Sequence, residues 1–214
     1  MTVDDWGLVP YREAWERQLR LRDALVADPE AGERIVMVEH PPVYTLGFHG
    51  DAGNMLASEE SLRLRGAECI RIERGGDVTY HGPGQLVVYP ILSLHRHRLG
   101  VKAYIERLES AVIELCARYG VTATTAPGAI GVWIGWGTPS ARKICAIGVK
   151  SSRYVTMHGL AINVNTDLDY FSLINPCGFV DKGVTSISRE LRHPVDMQLV
   201  KDRLIEIMLA RLKR

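Results

Sequence analysis

Residues 121–164, VTATTAPGAIGVWIGWGTPSARKICAIGVKSSRYVTMHGLAINV, contain four strand-like runs in succession, near 121–125, 130–134, 142–150 and 154–164. No helical period separates them. Strands that follow one another directly are unlike strict βαβ alternation, so the stretch reads as part of a mixed, largely antiparallel sheet. Working outward, further strands are expected near 68–74, 77–81 and 85–92, and RIVMVEH at 34–40 reads as a buried strand. Pro10 fits the first turn of a helix that carries Tyr11, Trp15 and Leu25 inward, and SEESLRLRG reads as a short helix capped by Ser58 and stopped by Gly66. A long helix over 100–119 places Val101, Tyr104, Ile105, Leu108, Val112, Leu115 and Tyr119 on one face and stops at Gly120. A last helix over 196–212 turns Val200, Leu204, Ile207, Met208 and Leu212 inward. The class is α+β: one domain over residues 1–214, with a mixed sheet covered by helices.

Composition sets the outer limits. With 214 residues, 46% hydrophobic and 24% charged, the chain can bury one substantial core. A net charge of +1 lacks the concentrated basic face of a nucleic-acid binder. The first twenty residues carry no signal-peptide core and no stretch approaches a membrane span, which points to a cytoplasmic protein. Cys69, Cys116, Cys145 and Cys177 are 47, 29 and 32 residues apart, so no pair has the spacing of a zinc or redox motif. Free thiols are expected.

The stretch RIERGGDVTYHGPGQLVVYPILSL at 71–94 has two glycine pairs, a histidine and a glutamine between apolar runs. Gly75-Gly76 and Gly82-Pro83-Gly84 can bring main chain close to a ligand, or can simply join three strands by two turns. His81 and Gln85 do not decide between these readings.

The longer string RGGDVTYHGPGQLVVYP resembles the signature of the lipoyl(octanoyl) transferases, which move an octanoyl group from acyl carrier protein to a lysine of a lipoyl domain. The resemblance continues in order through VEHPPVYTLG at 38–47, GVWI at 131–134, RKICAIGVK at 142–150, MHGLAINVNTDLDYF at 157–171, INPCGF at 174–179 and VTSIS at 184–188. It implies the fold shared with lipoate- and biotin-protein ligases, with the acyl chain in a tunnel beside the sheet. It further implies that Arg74, Gly75, Gly76, Asp77, Val78, Thr79, Tyr80 and His81 line the acyl group, together with Ala146, Ile147 and Gly148 and with Gly159, Leu160 and Ala161. Cys177 matches the nucleophile and Lys143 its partner. Implied partners are octanoyl-acyl carrier protein as donor, and lipoyl domains of 2-oxoacid dehydrogenases and the glycine cleavage H protein as acceptors. No cofactor, metal, nucleic acid or membrane is implied.

The chemistry is consistent with those residue types. A thioester donor is already activated, so transfer to an amine needs a nucleophile, a proton carrier and oxyanion donors, with no nucleotide. An ammonium stabilises a nearby thiolate, and a desolvated lysine can exchange protons near neutral pH. Pro176 and Gly178 put Cys177 on a turn. A regular strand over 142–150 would also put Cys145 on the same face as Lys143, making it a second thiol near the site. Two other functions share parts of this pattern: an ATP-dependent lipoate or biotin ligase of the same fold, and a non-catalytic carrier-binding protein. The form of the glycine loop and the presence of both Cys177 and Lys143 speak against each.

Overall fold

The computed structural model describes residues 1–48, 50–175 and 182–212. Its chain order begins with strand β1 (Thr2–Leu8), helix α1 (Tyr11–Ala27), β2 (Arg34–Glu39) and β3 (Val43–Leu46), followed by α2 (Glu59–Leu64), β4 (Glu68–Arg71), β5 (Val78–His81) and β6 (Gln85–Ile91). Helix α3 (Val101–Arg118) leads to β7 (Thr124–Ala126), β8 (Ala129–Ile134), β9 (Arg142–Ser152) and β10 (Val155–Asn163). Strand β11 (Gly183–Val184), α4 (Ile187–Leu191) and α5 (Met197–Leu212) complete it.

The succession of strands after α3 forms the centre of the main sheet, whose order is β1-β2-β6-β10-β9-β8-β7, with β11 beside β9. All adjacent pairs on this path are antiparallel except β1 with β2, which α1 joins as a helical crossover. Every residue of β6 and β10 is buried, as expected for central strands covered on both faces. Alternating side chains feed two cores. Leu86, Val88 and Ile162 meet Leu108, Val112 and Leu115 of α3 and Leu204, Ile207 and Met208 of α5, whereas Val87, Tyr89 and Ala161 meet Ala14 of α1. Each fully buried side chain of this size contributes about 1.5–3 kcal/mol of hydrophobic stabilisation.

A second, smaller sheet has the order β4-β3-β5, with β3 parallel to β4 and antiparallel to β5. It brings the glycine-rich segment 74–77 against β9. The sequence had not resolved this division into two sheets, nor β1 and β3. Pro10 caps α1 from outside rather than occupying its first turn. Ser58 does cap α2, its Oγ accepting the Ser61 N–H at 3.2 Å, and Gly120 takes φ +72° just beyond α3.

Candidate functional site

A cavity of about 430 Å³ lies between the segment 74–81 and strands β9 and β10, within the usual size range of small-molecule sites. Its apolar wall includes Val87, Ile105, Ile130, Ile147, Leu160, Ala161 and Phe171. Its polar groups are few and mostly fixed by the protein itself.

The segment 74–77 is held from both ends. Arg74 is buried, and its guanidinium donates to the Thr45 carbonyl at 2.6 Å, to Thr45 Oγ1 at 2.9 Å and to the Gly75 carbonyl at 3.0 Å. Asp77 accepts the Asp51 N–H at 3.1 Å and the Asn54 side-chain amide at 2.5 Å, while the Asn54 carbonyl accepts the Asn175 N–H at 2.8 Å. The segment thereby connects to the chain that leads into 176–181. Glycine at 148 answers to this packing: a Cβ there would sit 2.9 Å from the Gly75 carbonyl oxygen and 3.0 Å from Arg74 Cδ. The loop's main chain therefore lies directly on β9.

Below the loop runs a buried hydrogen-bonded chain whose polarity is set at both ends by main-chain carbonyls. Asn163 donates to the Thr185 carbonyl at 3.0 Å, so its side-chain oxygen is the atom that accepts from Gln85 at 2.9 Å. Gln85 uses its second N–H on the Tyr80 carbonyl at 3.0 Å, which leaves its oxygen facing His81 Nδ1 at 2.8 Å. Nδ1 must then carry the proton, and Nε2 is an acceptor. Burial, with His40 beside it, holds the His81 pKa well below the usual histidine value, in keeping with a neutral ring. His158 also lines the cavity. Its ring nitrogens have no hydrogen-bond partner within the described residues, and burial pushes its pKa down to about 3. Its main-chain φ is +58°, and its N–H donates to Gln18 Oε1 at 2.9 Å.

Lys143 is only 8% exposed, unlike an ordinary surface lysine. Its ammonium donates to the Ile130 carbonyl at 3.2 Å and lies 4.6 Å from the Trp133 ring centroid, within cation–π range. A β-bulge determines which side it enters. Val132 pairs with Cys145 but Trp133 pairs with Lys143, so β9 has one residue more than β8 at this point. Alternation is broken there: Ile144 and Cys145 both enter the core beneath α3 and α5, while Lys143 lines the cavity. This corrects the expectation that Cys145 shares a face with Lys143. Cys145 is fully buried, does not line the cavity, and burial pushes its thiol pKa up. On the other side Lys143 pairs with Val184 of β11, in the strand that follows 176–181.

Of the residues singled out in the sequence, Arg74, Gly75, Gly76, Asp77, Val78, Thr79, His81, Lys143, Ala146, Ile147, Gly148, Gly159, Leu160 and Ala161 all line this one cavity. Tyr80 does not. Its ring points the opposite way along β5, stacking on Tyr170 at 4.7 Å and meeting Tyr44 at 5.2 Å. Cys177 lies outside the described residues. Tyr11, Tyr89, Asn163 and Phe171 also line the cavity but were not singled out as site residues from the sequence; Tyr89, Asn163 and Phe171 lie within the strings that carry the resemblance, whereas Tyr11, at the start of α1, has no local motif. Among the described residues no cluster of His, Cys, Asp and Glu could hold a metal ion, and no helix is long and apolar enough to cross a membrane.

The profile of the lipoyl protein ligase A/B catalytic domain matches residues 10–209. An octanoyltransferase of Bacteroides fragilis is 59% identical over 212 residues, covering 97% of this chain and 96% of its own length. Among solved structures, a bipartite lipoate protein ligase of Thermoplasma acidophilum superposes with a TM-score of 0.72 at 16% identity, covering 99% of this chain and 83% of its own. A biotin protein ligase of Aquifex aeolicus, solved with biotin and ATP, gives 0.56 at 13% identity over 99% of this chain and 70% of its own. The two structural likenesses concern the fold alone.

Proposed function

Because this chain belongs to the lipoyl(octanoyl) transferases within the lipoyl protein ligase A/B family, we propose that it moves an octanoyl group from acyl carrier protein to a lipoyl-domain lysine through a thioester on Cys177. The observation that carries the reading is the placement of the Lys143 side chain in the wall of a largely apolar cavity, on a strand whose neighbour β11 emerges from the Cys177 segment. Lipoyl domains of 2-oxoacid dehydrogenases and the glycine cleavage H protein are the proposed acceptors.

In the first half-reaction the Cys177 thiolate attacks the octanoyl thioester carbonyl, the carbon–sulfur bond to the carrier breaks, and the leaving thiolate takes a proton from the Lys143 ammonium. The products are the Cys177 octanoyl thioester, the free carrier thiol and neutral Lys143. In the second, the acceptor amine attacks that thioester, its surplus proton passes to Lys143, and the Cys177 thiolate leaves. An amide has formed and the thiolate–ammonium pair is restored. The cavity's role is to hold the acyl chain out of water while both steps occur at one end of it.

The test is the mass of the purified protein after incubation with octanoyl-carrier protein and no ATP. An octanoyl adduct, sensitive to hydroxylamine and mapping to Cys177, supports the reading. Transfer to a lipoyl domain with no adduct would indicate direct transfer, and transfer only with free octanoate and ATP would indicate a ligase.

A further inference from the structure

The peptide group joining Ile130 to Gly131 is held by opposite charges on its two sides. Its carbonyl accepts from Lys143 Nζ at 3.2 Å, and its N–H donates to Oε1 of Glu109 at 3.0 Å. Glu109 lies in α3 and is buried, 8% exposed. A carboxylate removed from water must be compensated by hydrogen bonds or by a cation, and here one peptide supplies the first and leads directly to the second. Position 131 requires glycine for this arrangement. Its φ is +119°, and a Cβ would lie 2.6 Å from the Cys145 carbonyl oxygen. The Lys143 chain packs against the same spot, its Cε and Cδ at 3.5 and 3.6 Å.

We propose that Glu109 is a positioning residue for the transfer reaction, holding Lys143 as an ammonium and fixing its direction through the Ile130–Gly131 peptide. This rests on the reading of Lys143 as the proton carrier. A carboxylate bonded to the N–H polarises the peptide and makes its carbonyl a stronger acceptor for the ammonium on the other side. Among the described residues, the charged groups facing Glu109 are Glu106 on its own helix and Lys143 on β9, with the Cys145 thiol on β9 also close. Burial raises the Glu109 pKa, the Gly131 N–H and Lys143 lower it, and Glu106 raises it. In the reaction cycle, Lys143 becomes neutral when the carrier thiol leaves. The charge on Glu109 then favours recovery of a proton from the attacking amine, which is the direction the second half-reaction requires.

The test is independent of acyl transfer. In protein labelled with ε-13C lysine, the Lys143 resonance is the one lost in Lys143→Arg. Glu109→Gln keeps an acceptor for the Gly131 N–H and removes the charge. The Lys143 titration should then move to lower pH by about one unit, for unit charges on two sides of one peptide at an effective dielectric near 20. Linkage requires the reciprocal effect: in Lys143→Met the Glu109 carboxyl should titrate about one unit higher. Coincident Lys143 titrations in folded wild type and Glu109→Gln would overturn the proposal, reducing Glu109 to a clamp for Gly131. If Glu109→Gln does not fold, an unmoved Glu109 titration in Lys143→Met overturns it equally. Failure of the octanoyl reading would appear separately, as absence of acylation at Cys177.

Discussion

Lowering the pH from 7 to 5 should destabilise this protein through histidines that folding keeps neutral. Burial pushes His40 down to about 4 and His158 down to about 3, and it holds His81 well below its ordinary value. Each folded pKa lies below the unfolded value of about 6.5, so the unfolded chain binds more protons in the interval between them. The stabilisation is therefore complete above the unfolded pKa, declines as pH falls through about 6.5, and stops declining only near the folded values. For His158 this amounts to about 2 kcal/mol between pH 7 and 5. Three such groups approach the whole stability of a typical domain, about 5–15 kcal/mol. His158→Asn isolates one of them. Asparagine tolerates the left-handed φ of +58° at this position, and the histidine ring has no hydrogen bond to lose within the described residues. Urea melts of wild type and variant at pH 7 and pH 5 give the difference. The variant should lose about 2 kcal/mol less than wild type over that interval, with surface histidines and carboxylates cancelling in the comparison. Equal losses would show that folding leaves the His158 pKa unchanged, and the neutral polar floor of the cavity would have to be abandoned.

Three further outcomes are expected. Lys143→Ala should move the pH-dependence of Cys177 alkylation upward, as loss of an ammonium removes thiolate stabilisation; superimposed profiles would dissolve the pair. Lys143→Arg should preserve much of that profile and still impair turnover, since a guanidinium cannot take the acceptor's proton; full turnover would remove Lys143 as the proton carrier. Gly148→Val would force atoms into the Gly75 carbonyl and Arg74 stem, costing about 1–3 kcal/mol of stability by overpacking and reducing octanoyl transfer by displacing the loop; wild-type transfer in the folded variant would mean that the loop's seat on β9 is irrelevant to the reaction.

What the sequence made legible was what local pattern can encode. The three-and-four spacing of Leu108, Val112 and Leu115 placed α3 within one residue at each end, and the succession of β-rich runs after it gave the antiparallel centre. Strand β1 escaped notice because it is an exposed edge element, with Asp4 and Asp5 in its middle and its partner β2 more than thirty residues away. The short strand Val43–Leu46 is buried at all four positions, so it has no alternation to detect. Long-range hydrogen bonds were equally invisible: nothing local links Gln85 to Asn163, 78 residues later.

The clearest example is the choice between two thiols. Strict alternation along RKICAIGVK assigns Lys143 and Cys145 to one face, and only the register against β8 reveals the extra residue that separates them. That same irregularity explains how one short segment can serve both the core and the cavity. Without the bulge, turning Lys143 toward the cavity would turn Cys145 toward it and withdraw it from the contact with Cys116 beneath α3. With it, Ile144 and Cys145 fill the core and Lys143 remains outside that packing, its ammonium directed to the Ile130 carbonyl. The placement of Lys143, the one lysine in the cavity wall among the described residues, is thus a consequence of strand register, and a deletion of Ile144 that restored regular pairing should leave Cys145 and Lys143 on opposite faces, keeping this placement at the cost of a buried side chain.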